Sequence, residues 1–247
     1  CEKLTSVTFA ENSQLESIGH YAFSECSSLK KITIPASVTS IDYSAFFGCT
    51  SLTEITIPAS VTTIGDEVFC ECRSLTEITI PAGVTSIADR AFAGCTSLTG
   101  ITVAEENGAY TAVDGVLYDK PVQKLLAYPA GKAETAFTLP DAVTSVVDYA
   151  FEACNGLKKI IFPEALEKIG MVSGSGFSQS IQLEFLGNAP ECTGSGLAYG
   201  NTRNICIHYH KDKTGWEQAP WTNYIRLCVE ENMGEAVQLE ANNYDSQ

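Results

Sequence analysis

Cys206, His208 and His210 alternate with apolar or aromatic residues near the end of the sequence, and their side chains are potential zinc ligands. Successive side chains of a β-strand point to opposite faces, so these three would share one face of a strand. Cys192 or Cys228 would supply a fourth ligand. The pattern Cys-x-His-x-His lacks the paired spacings of structural zinc sites, and histidines are common on exposed strand faces. We therefore predict no metal site and no cofactor.

Another set of cysteines recurs at one position of a sequence repeat. They are Cys1, Cys26, Cys49, Cys72, Cys95 and Cys154. From Cys26 to Cys95, each cysteine lies 23 residues after the previous one. If the repeats stack as neighbouring strands, the Cα atoms lie about 5 Å apart, within disulfide range. Stacked side chains point the same way and pair poorly, so we expect mostly free, buried thiols.

Catalytic motifs do not accompany these cysteines. The sequence contains no His-Glu-x-x-His, Gly-x-Ser-x-Gly, P-loop or dinucleotide-binding glycine motif. The two Gly-Ser-Gly stretches, 174–176 and 194–196, lack the flanking context of such motifs and indicate loops. We predict no catalytic residues and a protein that is not an enzyme.

The elements that would position these side chains follow the same repeat. In the regular repeats that begin at Cys26, Cys49 and Cys72, an Ile-x-Ile pair predicts a short strand with both isoleucines inward, and a proline ends it. A Val-x-x-Ile segment predicts a second extended piece on the opposite wall, and an Ala-Phe pair places a ring in the core. Parallel stacking would put each residue over its counterpart one repeat earlier. The repeat thus predicts a solenoid with one continuous core.

Departures from the repeat give the predicted boundaries of the single domain, 1–228. Two apolar runs around Lys120-Pro121 predict a β-hairpin or another β-rich insertion, and the repeat becomes irregular through Ser173-Gly-Ser-Gly176. The Thr214-Gly-Trp-Glu217 sequence fits a capping box, which predicts a short helix ending at Pro220. Trp216 and Trp221 would then cover the last coil, or, if exposed, would contact a sugar or a protein. In order, we predict regular coils over 1–104, a β-hairpin insertion over 105–132, resumed coils over 133–176, C-terminal coils with a cap over 177–228, and a polar, acidic tail over 229–247.

The repeat Leu-x-x-Ile-x-Ile-Pro-x-x-Val-Thr-x-Ile-x-x-x-Ala-Phe-x-x-Cys resembles the BspA-type leucine-rich repeat of bacterial surface proteins, also called the Treponema pallidum type. Residues 113–118 and 126–131 are similar to an insertion that these proteins often carry, and 183–190 with 207–209 look like their closing coils. The resemblance covers residues 1 to about 228. It implies a right-handed, β-rich leucine-rich repeat solenoid with short helical turns, and a secreted or surface-anchored bacterial protein with adhesive or binding roles.

Charge and hydropathy narrow the range of partners and locations. The formal net charge is −15, which repels phosphate backbones, so we predict no nucleic-acid partner. No run approaches the roughly 18 to 20 apolar residues of a membrane span, so we predict no membrane insertion. Cys1 has the phase of the later repeat cysteines, which favours a fragment whose targeting segment lies upstream; a mature lipoprotein beginning at Cys1 is the alternative. We expect a monomer in isolation, located outside the cell.

Residues between the inward positions of the main sheet should face outward and are the candidate binding residues. They are Thr33, Glu54, Thr56, Glu77, Thr79 and Thr102. One interpretation is that threonine suits an exposed strand and that the hydroxyls pair between neighbouring strands. The other is a polar binding face with an acidic centre at Glu54 and Glu77, for a host extracellular matrix protein or a glycan. A spacer that displays another domain and has no ligand of its own is the alternative function.

Overall fold

The computed structural model describes residues 1–175, 177–193, 196–198, 204–218, 220–221, 227–230 and 236–238, with side chains described as far as residue 221. These residues form short β-strands, numbered β1 to β20 in chain order, and no α-helix. None of them forms a helix long and apolar enough to cross a membrane. The strands stack along two walls of a solenoid, as the repeat predicts.

The first wall includes the strands that the Ile-x-Ile pairs of the regular coils form. They are β2 (Lys31–Thr33), β4 (Glu54–Thr56), β6 (Glu77–Ile80), β8 (Gly100–Val103), β12 (Ala136–Thr138), β14 (Lys159–Phe162), β16 (Ile181–Phe185), β18 (Ile205–His210), β19 (Leu227–Glu230) and β20 (Ala236–Gln238). The second wall carries β1 (Ser17–Ile18), β3 (Ser40–Ile41), β5 (Thr63–Ile64), β7 (Ser86–Ile87), β9 (Tyr110–Val113), β10 (Val116–Asp119), β11 (Lys124–Ala127), β13 (Ser145–Val146), β15 (Lys168–Ile169) and β17 (Glu191–Cys192). The repeat strands pair in parallel with their counterparts in the next coil.

The register of these strands follows the 23-residue period. Ile32 pairs with Ile55 on the first wall, and Ile41 pairs with Ile64 on the second. All four side chains are buried, so the predicted inward positions are confirmed. The first coil is the exception, because residues 6–9 form no strand. Cys26 follows Cys1 by 25 residues rather than 23, so this coil is two residues longer than the period that sets the pairing.

The turns that close each coil are not the short helical turns that the resemblance implies. Phe46 and Gly48 donate backbone hydrogen bonds to the carbonyl oxygens of Val68 and Cys70 in the next coil, at 3.0 and 2.8 Å. A helix would direct those amides back along its own chain. Ser44 and Gly48 also adopt positive φ values of 53° and 66°, which interrupt any helix. The turns therefore form a third hydrogen-bonded wall.

Phenylalanine rings fill the core behind this third wall. Phe23, Phe46, Phe69 and Phe92 stack at centroid distances of 5.2, 5.8 and 5.8 Å, with interplanar angles of 12° to 13°. The Ala-Phe position of the repeat thus supplies one ring per coil. Phe46 and Phe69 are fully buried, as predicted.

The repeat cysteines lie beside these rings. The Sγ atoms of Cys49, Cys72 and Cys95 donate to phenylalanine carbonyl oxygens in the preceding coil, at 3.0, 3.2 and 3.0 Å. Each thiol therefore bridges two coils, and these cysteines are free, as predicted. Cys1 differs from the prediction, because its side chain is exposed.

The insertion is a buried part of the solenoid. Its strands β10 and β11 form the predicted hairpin, and β9, which the sequence did not predict, pairs with β10 on the other side. The continuous core that was predicted is divided here into two clusters. Leu117 and Leu126 belong to the N-terminal cluster, whereas Val116, Tyr118 and Leu125 belong to the C-terminal one. The hairpin is thus buried on both faces, between the two halves of the core.

A buried asparagine joins this insertion to the fourth coil. The Asn107 side-chain amide donates to the carbonyl oxygens of Pro81 and Val84 at 2.7 and 3.0 Å. Its oxygen accepts from the backbone amides of Ala109 and Tyr110, both at 2.8 Å. Asn107 is 1% exposed, so its side-chain amide lies away from water.

We expect Asn107→Ala to lower the free energy of unfolding by about 3 kcal/mol. The change leaves buried backbone donors and acceptors without partners, and each such group costs about 1–3 kcal/mol unless water reaches it. Urea denaturation followed by circular dichroism measures the loss. Asn12→Ala, at an exposed position, is the control and should stay within about 0.5 kcal/mol of the parent. Equal effects of the two substitutions would contradict this role for Asn107.

A carboxylate organises the glycine-rich segment after β15. Glu152 accepts hydrogen bonds from the Ser173 hydroxyl at 3.1 Å and from the Gly174 amide at 2.5 Å. Ser173 also forms a β-bridge to Ala198. A side chain of the preceding coil therefore fixes the position of this segment, where the sequence departs from the repeat. Gly176, the last residue of the predicted stretch, lies outside the described residues.

The C-terminal end is closed by aromatic packing. Trp216 is fully buried and Trp221 is 3% exposed, which confirms that they cover the last coils. Both rings contact Phe185, at 5.0 and 5.4 Å between centroids. The helix predicted from Thr214 to Pro220 is wrong: the described residues there form bends and turns around the indole rings.

The predicted tail begins at residue 229, inside the strand β19, and the strand β20 within the tail pairs antiparallel with β19. Residues 231–235 and 239–247 of the predicted tail lie outside the described part of the chain.

Candidate functional site

The candidate binding residues lie together on the outward face of the first wall. In β2, β4 and β6 the central isoleucine is buried and its two neighbours are exposed. This places Thr33, Glu54, Thr56, Glu77 and Thr79 on one solvent-exposed surface. Thr102 continues it on β8, since it pairs with Thr79. We call these six residues the threonine–glutamate face.

Some polar groups of this face already have partners within the chain. Lys31 Nζ lies 2.7 Å from Glu54 Oε1, and both side chains are 58% exposed. A surface ion pair of this kind contributes about 0–1 kcal/mol, and here it offsets one of the two predicted acidic groups. The hydroxyls of Thr79 and Thr102 lie 2.8 Å apart, so threonine pairing between strands occurs at this step of the row. The acidic centre is therefore at Glu77 rather than shared equally with Glu54.

A pocket forms where the threonine–glutamate face meets the insertion. It has a volume of about 330 Å³, and Glu77, Thr102, Ala112 and Gly115 are among its lining residues. Its outer boundary is set by the turn between β9 and β10, whose Gly115 carbonyl accepts a hydrogen bond from the Ile101 amide at 2.9 Å. The pocket thus combines two predicted side chains with insertion residues that were not predicted.

Two glycines permit this close approach. Gly115 has a φ of +77°, and a Cβ atom there would lie 3.1 Å from the Cα atom of Gly100. Gly100 occupies the repeat position of Lys31, Glu54 and Glu77. A glycine at a position where the earlier coils have a long side chain is the sequence signal that could have indicated the close approach of a second backbone segment.

A larger hollow lies at the other end of the same face. It measures about 530 Å³ and separates residues 6–10 of the first coil from β2. Thr33 and Lys31 border it on the side of the threonine–glutamate face, and Val7 and Phe9 border it on the core side. The hollow follows from the missing pairing between the first coil and β2.

The Cys-x-His-x-His segment forms β18, with Ile205 and Ile207 facing the core. Cys206 Sγ lies 3.2 Å from His208 Nε2, so these two side chains share a face as predicted. Among the residues with described side chains, no three histidine, cysteine or carboxylate groups are close enough to hold a metal ion. Cys228 lies beside His208 in the backbone register, but its side chain is outside the described residues.

Buried thiols elsewhere are poor nucleophiles in this fold. Burial raises the pKa of the Cys49 thiol to about 12 and, with the nearby Glu67 and Glu71 carboxylates, the pKa of Cys70 to about 12. The pKa values of Cys72 and Cys95 are also raised by burial. A neutral thiol that donates to a carbonyl oxygen is suited to structure rather than to catalysis.

The walls, the turns and the repeated core positions define a leucine-rich repeat solenoid. A family model of the BspA type leucine rich repeat region matches residues 1–110 and 130–188, in six copies. These matches cover more than half of the chain, so the chain belongs to the BspA-type leucine-rich repeat family. The unmatched gap falls within the insertion.

Solved structures of bacterial proteins share this architecture. The pneumococcal vaccine antigen PcpA is 27% identical with a TM-score of 0.70, over 81% of this chain and 55% of that chain. A leucine rich cell surface protein from Faecalibacterium prausnitzii is 27% identical with a TM-score of 0.53, over 87% and 69%. A leucine-rich repeat protein from Eubacterium ventriosum is 26% identical with a TM-score of 0.53, over 81% and 65%. The chain thus spans little more than half of the length of PcpA. No curated protein sequence matches it.

Proposed function

We propose that this chain is a non-catalytic binding module of a bacterial cell-surface or secreted protein, with an adhesin-like role toward a host extracellular matrix protein or a glycan. The observation that carries the proposal is the threonine–glutamate face, whose exposed row of hydroxyl and carboxylate groups ends in the pocket at Glu77 and Thr102. The similarity to a cell surface protein supports the location. The ligand is bound by a monomer and is not a nucleic acid, in keeping with the net charge of −15.

The chemistry of the face favours a polar or basic ligand. Threonine hydroxyls both donate and accept hydrogen bonds, and an ionised carboxylate accepts them. Sugar hydroxyls and the Lys or Arg side chains of a matrix protein are suitable partners for such groups. The apolar contribution comes from Ala112 and Val103 at the pocket wall.

A binding screen with the whole chain against immobilised matrix proteins and glycans tests the proposal. We expect a wild-type ligand whose affinity falls roughly tenfold in Glu77→Lys, because the reversed charge faces the ligand at the pocket. Thr102→Val, which replaces the hydroxyl with a methyl group, should weaken binding of the same ligand. Surface plasmon resonance gives the dissociation constants.

Glu16→Lys is the matched control for charge. Glu16 is exposed and directly precedes β1 on the second wall, so the Glu16→Lys substitution makes the same charge change away from the pocket. We expect its affinity to equal that of the parent chain. A ligand that binds the parent, Glu77→Lys and Glu16→Lys equally would place binding elsewhere on the molecule.

A structural spacer is the second candidate function. The Lys31–Glu54 ion pair and the Thr79–Thr102 hydrogen bond favour it, because they show polar groups of the face satisfied within the chain. A spacer presents a stiff stack of coils and needs no ligand. The absence of any wild-type ligand in the screen at high micromolar concentration would support the spacer and reject the binding module.

A further inference from the structure

A line of polar groups crosses three strands near the C-terminal end of the first wall. Lys159 Nζ on β14 lies 2.5 Å from Glu184 Oε2 on β16, and Glu184 pairs in register with His208 on β18. His208 Nε2 lies 3.2 Å from Cys206 Sγ. The order along this line is ammonium, carboxylate, imidazole and thiol.

Two members of the line are buried polar side chains. Glu184 and His208 are each 8% exposed, whereas most outward positions of the first wall face solvent. The Nε2 atom of His208 lies within hydrogen-bond distance of the Cys206 sulfur and can accept the thiol proton, which leaves the thiolate, the nucleophilic form of cysteine.

Cys206 differs in this respect from the other cysteines with described side chains. The repeat cysteines from Cys26 to Cys154 are buried, and the thiols of Cys49, Cys72 and Cys95 donate to carbonyl oxygens. Cys192 is about as exposed as Cys206, but burial raises the pKa of its thiol to about 11. Cys206 combines partial exposure with a neighbouring imidazole. Cys192 is therefore a control within the same chain.

We propose that Cys206 is a reactive thiol, activated by His208, that is modified by small-molecule disulfides. The Cys206 thiolate attacks one sulfur of the disulfide, so that a Cys206–S–S–R bond forms and the original S–S bond breaks. The leaving thiolate takes the proton that His208 holds. The disulfide is the oxidant, and one equivalent of thiol is released for each modified chain.

The rate of disulfide exchange at each cysteine tests this assignment. The whole chain is treated with 5,5′-dithiobis(2-nitrobenzoic acid) at pH 6, and adducts are assigned by peptide mass spectrometry in the native state and in 6 M guanidinium chloride. An unassisted thiol with a pKa near 8.5 is only about 0.3% thiolate at pH 6. We expect Cys206 to react at least about tenfold faster in the native chain than in the unfolded chain. Cys192 should react more slowly in the native chain than in the unfolded one.

Substitutions separate the imidazole effect from simple exposure. Cys206→Ser should remove the fast adduct, and Cys192→Ser should leave it. His208→Gln should slow Cys206 by at least about tenfold at pH 6 and much less at pH 9, where unassisted thiols ionise. If His208→Gln fails to fold, the native-to-unfolded rate ratio of the parent chain still decides the matter. A native rate at Cys206 no faster than the unfolded rate, or a fast adduct at Cys228 or Cys192 instead, would overturn the proposal.

Discussion

Phe69→Ala is expected to lower the free energy of unfolding by about 3–5 kcal/mol, the range found when a buried phenylalanine is truncated. Phe69 is fully buried in the middle of the ring stack, with Phe46 and Phe92 each 5.8 Å away. Removing its ring takes apolar surface out of the core and leaves a cavity between two coils. The coils cannot close this cavity, because hydrogen bonds on three walls fix their spacing. Urea denaturation followed by circular dichroism measures the change.

Phe23→Ala is the matched control for this prediction. Phe23 is the first ring of the same stack, but it is only partly buried and has one phenylalanine neighbour, Phe46. We expect a loss of about 1 kcal/mol, because less apolar area leaves water in the parent protein. Phe69→Leu, which keeps most of the apolar volume, should fall between the two alanine variants. Equal losses for Phe69→Ala and Phe23→Ala would show that the interior rings are not the principal source of stability.

The repeat predicted the walls because its physical basis is local and periodic. An Ile-x-Ile pair specifies which side chains face inward, and a fixed period specifies the register with the next coil. The turns could not be predicted in the same way. Their positive-φ positions are occupied by Ser44, Glu67 and Tyr149 as well as by glycine. Hydrogen bonds between coils impose the backbone conformation at these positions, and no particular residue type predicts those bonds.

The insertion was predicted as a hairpin but not as a wall within the core. Val116-Leu-Tyr118 and Leu125-Leu126 are apolar runs without alternation, and such runs are typical of strands buried on both faces. The sequence does not state which two surfaces cover them. That depends on Asn107, whose four hydrogen bonds place the insertion against the fourth coil.

In the candidate sites, too, features that depend on neighbouring residues could be predicted, whereas features that depend on contacts between distant segments could not. The outward positions of Glu77 and Thr102 follow from alternation along their strands, so they could be predicted. The pocket between them depends on Gly115, which approaches Gly100 from the insertion. The Cys206–His208 pair could be read from spacing alone, but Glu184 reaches the line only through the pairing of β16 with β18.

The free energy of unfolding of this protein is expected to fall steeply at alkaline pH, beginning near pH 8.5, where an unfolded cysteine ionises. Burial raises the pKa of the Cys72, Cys95 and Cys154 thiols above that of an unfolded cysteine. Well below pH 8.5, the pKa of an unfolded cysteine, both states keep these protons, and stability does not change on their account. Above it the unfolded chain loses the protons while the folded chain keeps them, so the free energy of unfolding falls as pH rises. Each fully shifted thiol contributes about 1.4 kcal/mol per pH unit, and three contribute about 4.

The slope between pH 9 and pH 10, measured by urea denaturation in the presence of a reductant, tests this expectation. The window ends at pH 10 because burial also raises the pKa of Tyr118, so that phenols add to the slope above it. Cys72→Ala should make the slope shallower by about 1.4 kcal/mol per pH unit, whatever it costs in stability at neutral pH. Cys1→Ser removes an exposed thiol and should leave the slope unchanged. If Cys72→Ala and Cys1→Ser give the same slope as the parent, the buried thiols do not remain protonated in the folded state.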